Sequence, residues 1–401
     1  MLLCVLSGFS SGLPLYVLFQ LLPAWLRDAE VDLATIGLMS LITFPYTWKF
    51  IWSPLMDRRS LLPGLPRRRG WAILTQAMLW ISLAAFGALD PQQHLWAIAG
   101  LAAWVAFWSA SQDIVLDAYR REILPDEELG LGNSLFVNAY RLASLVPGSL
   151  ALILADHLPW SVVHPIVSLF MLVGLLTSLW MPEPNIAAAP PKPLRASLVE
   201  PLTAFFRQHG TASALTILTF MLLYKLGDSM ATALATPFYL DLGFSKTDIG
   251  SVAKVASLWS SVVGGLIGGL IMVRTGINRA LWLFGVVQLF SILGFAVLSQ
   301  IGPDRLWLFV VVSLEYLGVG LGTAAFVAFI ARSTDKRHTA TQLALLTSLA
   351  GVPRTLANAS TGYLIEAMGY TYFFLLCFVI AIPGMLMLPW VAPWRTDPHA
   401  R

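Results

Sequence analysis

Residues 95–119 read LWAIAGLAAWVAFWSASQDIVLDAY, an apolar run with no charge before Asp113 and a second acid, Asp117, four positions later. At 1.5 Å per helical residue, roughly 20 apolar residues cross a hydrocarbon core about 30 Å thick. Runs of this kind recur along the whole chain of 401 residues, which is 57% hydrophobic and only 12% charged. An average soluble domain carries about 25% charge. So few charges cannot cover a soluble particle, and the solvent for most of the chain is lipid.

Working outward from that run, apolar stretches between polar breaks predict helices near 2–26, 33–56, 71–89, 95–119, 131–155, 162–181, 212–240, 246–273, 280–300, 305–331, 339–366 and 371–392. The expected fold class is therefore an all-α integral membrane protein of twelve transmembrane helices. The even loops hold most of the basic residues, including Arg58, Arg67, Arg68, Arg120 and Arg274, whereas the odd loops offer only Arg27, Lys246 and Arg305. Cytoplasmic loops retain Lys and Arg, so both termini are expected in the cytoplasm. The net charge of +3 is a topology signal before it is a binding signal. The first apolar run begins at once, without the basic flank and cleavage pattern of a signal peptide, and is expected to stay as a span.

The connection 182–211 is rich in proline and contains an amphipathic stretch, Leu198 to Phe206. It divides the sequence into an N-terminal six-helix half, 1–181, and a C-terminal half, 212–401. Internal similarity supports two pseudo-symmetric halves, because Ile36-Gly37 before the second span is echoed by Ile249-Gly250, and Arg141 by Arg354. Two parallel repeats of this kind are the arrangement of major facilitator transporters. The loop after the second span resembles that superfamily's signature in its Asp57-Arg58 pair and its basic cluster from Arg67 and Arg68, with Ser53 where a glycine is usual. These four charged residues are read as gating contacts, or else as ordinary anchors on the positive side.

A charge at mid-depth costs at least about 2.5 kcal/mol on insertion scales, so each needs a partner or a wet cavity. The charges predicted within spans are Lys49, Asp113, Asp117, Arg141, Lys225, Asp228, Lys254, Glu315 and Arg354. Asp113 and Asp117 share a helical face, and neighbouring carboxylates repel each other's ionised forms. Asp113, deeper and preceded by the amide of Gln112, is the first candidate for the coupling proton; the alternative is a fixed pair with Arg141 or Lys49. Asp117, Asp228 and Glu315 are further proton candidates. Lys225 and Asp228 are spaced to pair within one helix, and Lys254 and Glu315 can satisfy one another. Arg141, Arg354 and Lys49 suit a carboxylate-bearing substrate, since a guanidinium grips a carboxylate with two parallel hydrogen bonds. Tyr46, Trp108 and Tyr140 can stack on a sugar ring or serve as packing.

No phosphate-binding glycine loop, zinc-protease motif or soluble nucleotide domain occurs, so an enzyme or ATP-driven pump is not expected. The two cysteines, Cys4 and Cys377, lie far apart in apolar stretches and suggest neither a disulfide framework nor a metal site. No cofactor, no metal and no nucleic-acid partner are expected, and the chain is expected to act as a monomer in the lipid bilayer.

Several stretches resemble the AmpG-type muropeptide permeases of Gram-negative bacteria: Gly8-Phe-Ser-Ser-Gly-Leu-Pro14, Lys49-Phe-Ile-Trp-Ser-Pro-Leu-Met-Asp57-Arg58, Ser109-Ala-Ser-Gln-Asp-Ile-Val-Leu-Asp117, Leu223-Tyr-Lys-Leu-Gly-Asp228 and Ala340-Thr-Gln-Leu-Ala-Leu-Leu346. The resemblance implies a proton-coupled symporter that imports anhydro-muropeptides from periplasm to cytoplasm across the bacterial inner membrane, with Asp113 as the coupling residue. It also implies that Gln112, Lys225 and the aromatic residues meet the amides, charges and sugar faces of an anionic glycopeptide. A major facilitator carrier for another anionic or acylated solute is the alternative. A receptor or assembly factor that kept the fold is a third reading, which proton-dependent uptake would exclude.

Overall fold

In a computed structural model the described residues are 1–53, 56, 66–183, 203, 205–333 and 339–394. Asp57 and Arg58 lie outside them, as do most of 182–211 and the side chains of Ala340 to Leu346. Among the described residues all regular structure is helical. Among the described residues nine helices, against the twelve spans expected, are long and apolar enough to cross a membrane: α1 (Leu2–Asp28), α3 (Arg67–Ala88), α4 (Leu95–Ile123), α5 (Leu131–Ala155), α6 (Trp160–Trp180), α7 (Thr211–Asp241), α8 (Lys246–Ile301), α9 (Arg305–Ile330) and α10 (Gly351–Val391). A shorter apolar helix, α2, covers Leu33–Trp48.

Two of these helices are too long for one crossing and are broken by glycine. Gly276 in α8 has φ 78° and ψ 166°, and Gly369 in α10 has φ 76° and ψ 164°. Only glycine adopts such angles cheaply. The breaks fall in the gaps that hydropathy left at 274–279 and 367–370, so each long helix is two arms joined at a turn. Pro66 before α3 and Pro159 before α6 stand just ahead of helix starts, where a missing N–H costs nothing, whereas Pro14, Pro165, Pro353 and Pro383 lie inside helices.

The described residues group into two compact units. The first draws on Met1–Asp32, Met39–Pro191 and Phe244–Lys254, and the second on Leu33–Leu38, Lys192–Gly243 and Val255–Arg401. The start of α2 thus packs with the second unit, and the start of α8 with the first.

Lipid offers no hydrophobic drive between helices, so close association relies on small residues that let backbones touch. In the first unit a Cβ on Gly8 would fall 2.3 Å from the Phe136 carbonyl oxygen, and one on Gly12 2.4 Å from that of Tyr140. The Gly8-Phe-Ser-Ser-Gly12 stretch is therefore the surface by which α1 crosses α5. In the second unit Gly264 and Gly320 play the same part between α8 and α9, and Gly227 between α7 and α10.

The internal repeat has a structural meaning. A Cβ on Gly250 would sit 2.7 Å from the Ser149 carbonyl oxygen in the first unit. Gly37 packs likewise on Gly362 in the second, where a Cβ on Gly362 would lie 1.8 Å from the Leu33 carbonyl oxygen. Gly37 and Gly250, Ser149 and Gly362, and Arg141 and Arg354 are all separated by 213 positions. Each arginine thus stands eight residues before the close contact made by its own helix.

Candidate functional site

In the first unit the Gly8–Gly12 crossing brings Ser11 of α1 against α4, where its hydroxyl donates to Asp113 Oδ1 at 2.5 Å. Lys49, just after α2, places Nζ 3.9 Å from Asp113 Oδ2, and the Asp113 side chain is 16% exposed. The gross attraction of charges at that distance is roughly 4 kcal/mol at an effective dielectric of about 20. Of the two partners considered from sequence, Lys49 is the one in contact with Asp113. Tyr46 and Tyr140 both lie within electrostatic range of Asp113. Tyr16 meets Tyr140 edge-on at 5.6 Å and stands within range of Arg141. Asp113 is thus grouped within a single unit with Lys49, Arg141 and three phenols, with Asp117 and Arg120 also in electrostatic range.

The neighbouring residues have other surroundings. Gln112 is fully buried and donates to the Ser10 carbonyl at 2.9 Å, a tie between α1 and α4. Asp117 is half exposed and pairs with Arg120 at 2.9 Å. Arg120 in turn donates to Asn133 and covers the Phe136 ring. Trp108 packs edge-on against Trp104 and Phe107, beside the cluster of Met56, Trp71 and Val115.

Three π-helical turns, Val17–Leu21, Val146–Leu150 and Ile249–Ala253, occur in the first unit. Such turns re-aim side chains within a helix. Gly148 supplies the room at their meeting point, since a Cβ there would fall 2.3 Å from Gln20 Oε1 and 2.9 Å from Lys254 Cδ. Lys254 lies over the Tyr16 ring at 5.4 Å.

The basic cluster at the start of α3 meets two acids not singled out from sequence. Arg68 forks onto Glu122 with contacts of 2.5 and 3.0 Å, and Arg67 stands 3.8 Å from the same carboxylate. Glu183 accepts from the backbone N–H groups of Arg68 and Arg69 at 2.8 and 3.0 Å, capping the α3 N-terminus. A carboxylate there is favoured by the helix dipole. Both acids sit at helix ends, where hydropathy reads them as ordinary loop charges.

In the second unit Lys225 and Asp228 do pair within α7, at 2.9 Å, and Lys225 also reaches Thr323 at 3.4 Å. Glu315 of α9 is completely buried and lies within electrostatic range of both. Arg354 of α10 is exposed and within range of Asp228. Glu315 is thus grouped with the α7 pair, while Lys254 turns to Tyr16.

Buried charges, glycine-mediated helix crossings and an internally repeated helical chain define a membrane carrier rather than a soluble catalyst, and comparison places it. The chain belongs to the Major Facilitator Superfamily, whose sequence profile matches residues 4–357. Among its relatives, the anhydromuropeptide permease of Escherichia coli K12 is 40% identical over 386 residues, covering 96% of this chain and 78% of the permease. A Haemophilus influenzae protein is 49% identical, covering 99% and 95% of the two chains. The crystal structure of the nucleoside transporter NupG superposes with a TM-score of 0.76 at 13% identity, covering 98% of this chain and 99% of that one.

Proposed function

We propose that this multi-pass membrane protein imports anhydromuropeptides, the sugar–peptide fragments of cell wall, together with protons. It would act in the bacterial inner membrane with both termini in the cytoplasm. The substrate class rests on the similarity to the Escherichia coli permease along nearly the whole chain. The observation that carries the coupling is Lys49, which stands beside the one acid held by Ser11.

Lys49 can serve two anions but not both at once. While Asp113 is ionised it is the partner of Lys49. A proton on Asp113 removes that partner and releases the ammonium to a substrate carboxylate, so proton loading favours substrate loading. Arg141, near Tyr16, adds a cation that keeps its charge at any working pH, and Arg354 supplies the same chemistry in the second unit. Tyr16, Tyr46 and Tyr140 offer faces for the sugars. Arg67, Arg68 and Glu122 act as a gating lock at one end of the first unit. Access alternates between the two sides of the membrane as the acid loads and discharges.

The test is uptake of labelled anhydromuropeptide into proteoliposomes with and without an imposed pH gradient. One carried proton supports about tenfold accumulation per pH unit. Asp113→Asn should abolish gradient-driven accumulation while leaving substrate exchange at equal pH. Undiminished accumulation by that variant would remove Asp113 from the mechanism, and failure of anhydromuropeptide to compete with any transported solute would remove the substrate assignment.

A further inference from the structure

The second unit holds a group of polar atoms for which the pairing of Lys225 with Asp228 does not account. Glu315 is 0% exposed, and neither carboxyl oxygen completes a hydrogen bond of good geometry among the described residues, although the Ser291 hydroxyl and the Asp228 carboxyl stand beside it. Asp228 uses Oδ2 for Lys225 and leaves Oδ1 without a partner, and Gln288 is buried with both amide atoms in the same condition. Gly322 makes space for that amide, because a Cβ there would fall 2.2 Å from Gln288 Oε1. A small cavity lined by Asp228, Gln288, Tyr224 and Met385 adjoins the group.

The charges decide what the cluster holds. Lys225 and Asp228 cancel, and Arg354 lies within range of Asp228 from α10. The other groups within range of Glu315, Tyr239 of α7 and Cys377 of α10, are neutral acids that add no cation. An ionised Glu315 would then be a buried anion beside the Asp228 carboxylate, with the Ser291 hydroxyl as its nearest donor and Lys225 already engaged, which costs several kcal/mol. A proton on the carboxyl removes the charge and creates a donor for the idle acceptors, Asp228 Oδ1 or Gln288 Oε1.

We propose that Glu315 is a proton-binding site of the second unit, separate from Asp113, loaded while Lys225 is engaged by Asp228 and emptied when Lys225 turns to Glu315. The site stands independently of the muropeptide reading. Only its use as a second carried proton rests on proton-coupled transport.

Infrared spectroscopy of the purified intact protein at neutral pH reads the site directly, without substrate or gradient. The band of a protonated carboxylic acid should be present in the parent and in Asp113→Asn and absent in Glu315→Gln. Asp228→Asn offers a second route that leaves Glu315 in place, since Lys225, deprived of its partner, should draw Glu315 into ionisation and remove the band. A band unaffected by both Glu315→Gln and Asp228→Asn overturns the proposal. Loss of the band on adding sodium at constant pH overturns it in favour of a metal cation. In proteoliposomes a second carried proton raises accumulation from about tenfold to about a hundredfold per pH unit. Glu315→Gln should return it to about tenfold, and equal ratios in parent and variant would refute the carrying role even with the infrared result intact.

Discussion

Alanine at Gly362 should loosen the seat of the α2 start on α10, and the size of the effect can be worked from the contact. The added Cβ would fall 1.8 Å from the Leu33 carbonyl oxygen and 2.7 Å from Ala34 Cα, whereas ordinary contact begins at 3.4 Å. All the atoms it meets are backbone, so no side chain can swing aside and the two segments must part by more than an ångström. Overpacking of this kind costs about 1–3 kcal/mol, offset by up to about 1 kcal/mol from alanine's better helix propensity. A net 1–2 kcal/mol changes an equilibrium by a factor of roughly 5–30. Ala34, which is buried, provides the reporter. An Ala34→Cys protein should react with an impermeant maleimide roughly 5–30 times faster when Gly362→Ala is added, with the buried Cys4 and Cys377 as slow background. Gly250→Ala, with its nearest atom at 2.7 Å, should have a smaller effect on the matching contact of the first unit. Gly265→Ala, where a Cβ meets nothing within 4 Å, should have none. Labelling of Gly362→Ala at the parental rate with unchanged thermal stability would refute the close-contact account.

Two electrostatic contrasts follow from burial. Arg68→Ala removes the cation from a fork whose arginine side chain is 5% exposed and should cost about 1–3 kcal/mol, because Glu122 keeps only the longer contact with Arg67. Asp117→Asn breaks a pair whose carboxylate is half exposed and should cost less than about 1 kcal/mol; thermal unfolding in one detergent measures both, and equal losses would overturn the burial argument. Lys225→Met should cost about 3–5 kcal/mol and Asp228→Asn less, because Lys225 can turn to Glu315, while the double substitution should recover most of the Lys225→Met loss. A double variant no better than Lys225→Met alone would show that the pair does more than neutralise itself.

Most of the spans, the gaps in which the two glycine breaks fall, and the pairing of Lys225 with Asp228 are legible in the sequence because each follows from a local rule: hydropathy or helical spacing. Contacts between helices are not. Nothing in the spacing says that Ser11 and Tyr16 stand beside Asp113 and Arg141, since a serine and a tyrosine in an apolar run read as packing. Lys254 and Glu315 looked complementary as opposite charges on nearby spans. The π-helical turn just before Lys254 alters the register on which a side-chain direction would be predicted, and the structure sends Lys254 to Tyr16. Glu122 and Glu183 carry no signal in the sequence because an acid at a helix end needs no partner to be tolerated, whereas their partnership with Arg67, Arg68 and Arg69 is a tertiary fact.

The 213-residue repeat separates scaffold from chemistry. At that spacing Gly37 and Gly250, the small residues they pack on, Gly362 and Ser149, and the two arginines recur, because the same pair of helices meets in each copy and needs small residues at the same place. The other charges within the spans do not recur. Asp113 corresponds to Phe326, Glu315 to Ala102, Lys225 to Gly12, Asp228 to Leu15 and Lys49 to Val262. A buried charge is tolerated only with its partner or its proton, so duplicating a helix without its partners would leave an uncompensated ion, and each cluster survives in one copy alone. The two units therefore carry different devices: an acid bound by a hydroxyl and an ammonium in the first, and a neutralised pair beside a buried acid in the second. Substitutions at Asp113 and at Glu315 should for that reason fail in different assays, the first in coupling to substrate and the second in the count of protons.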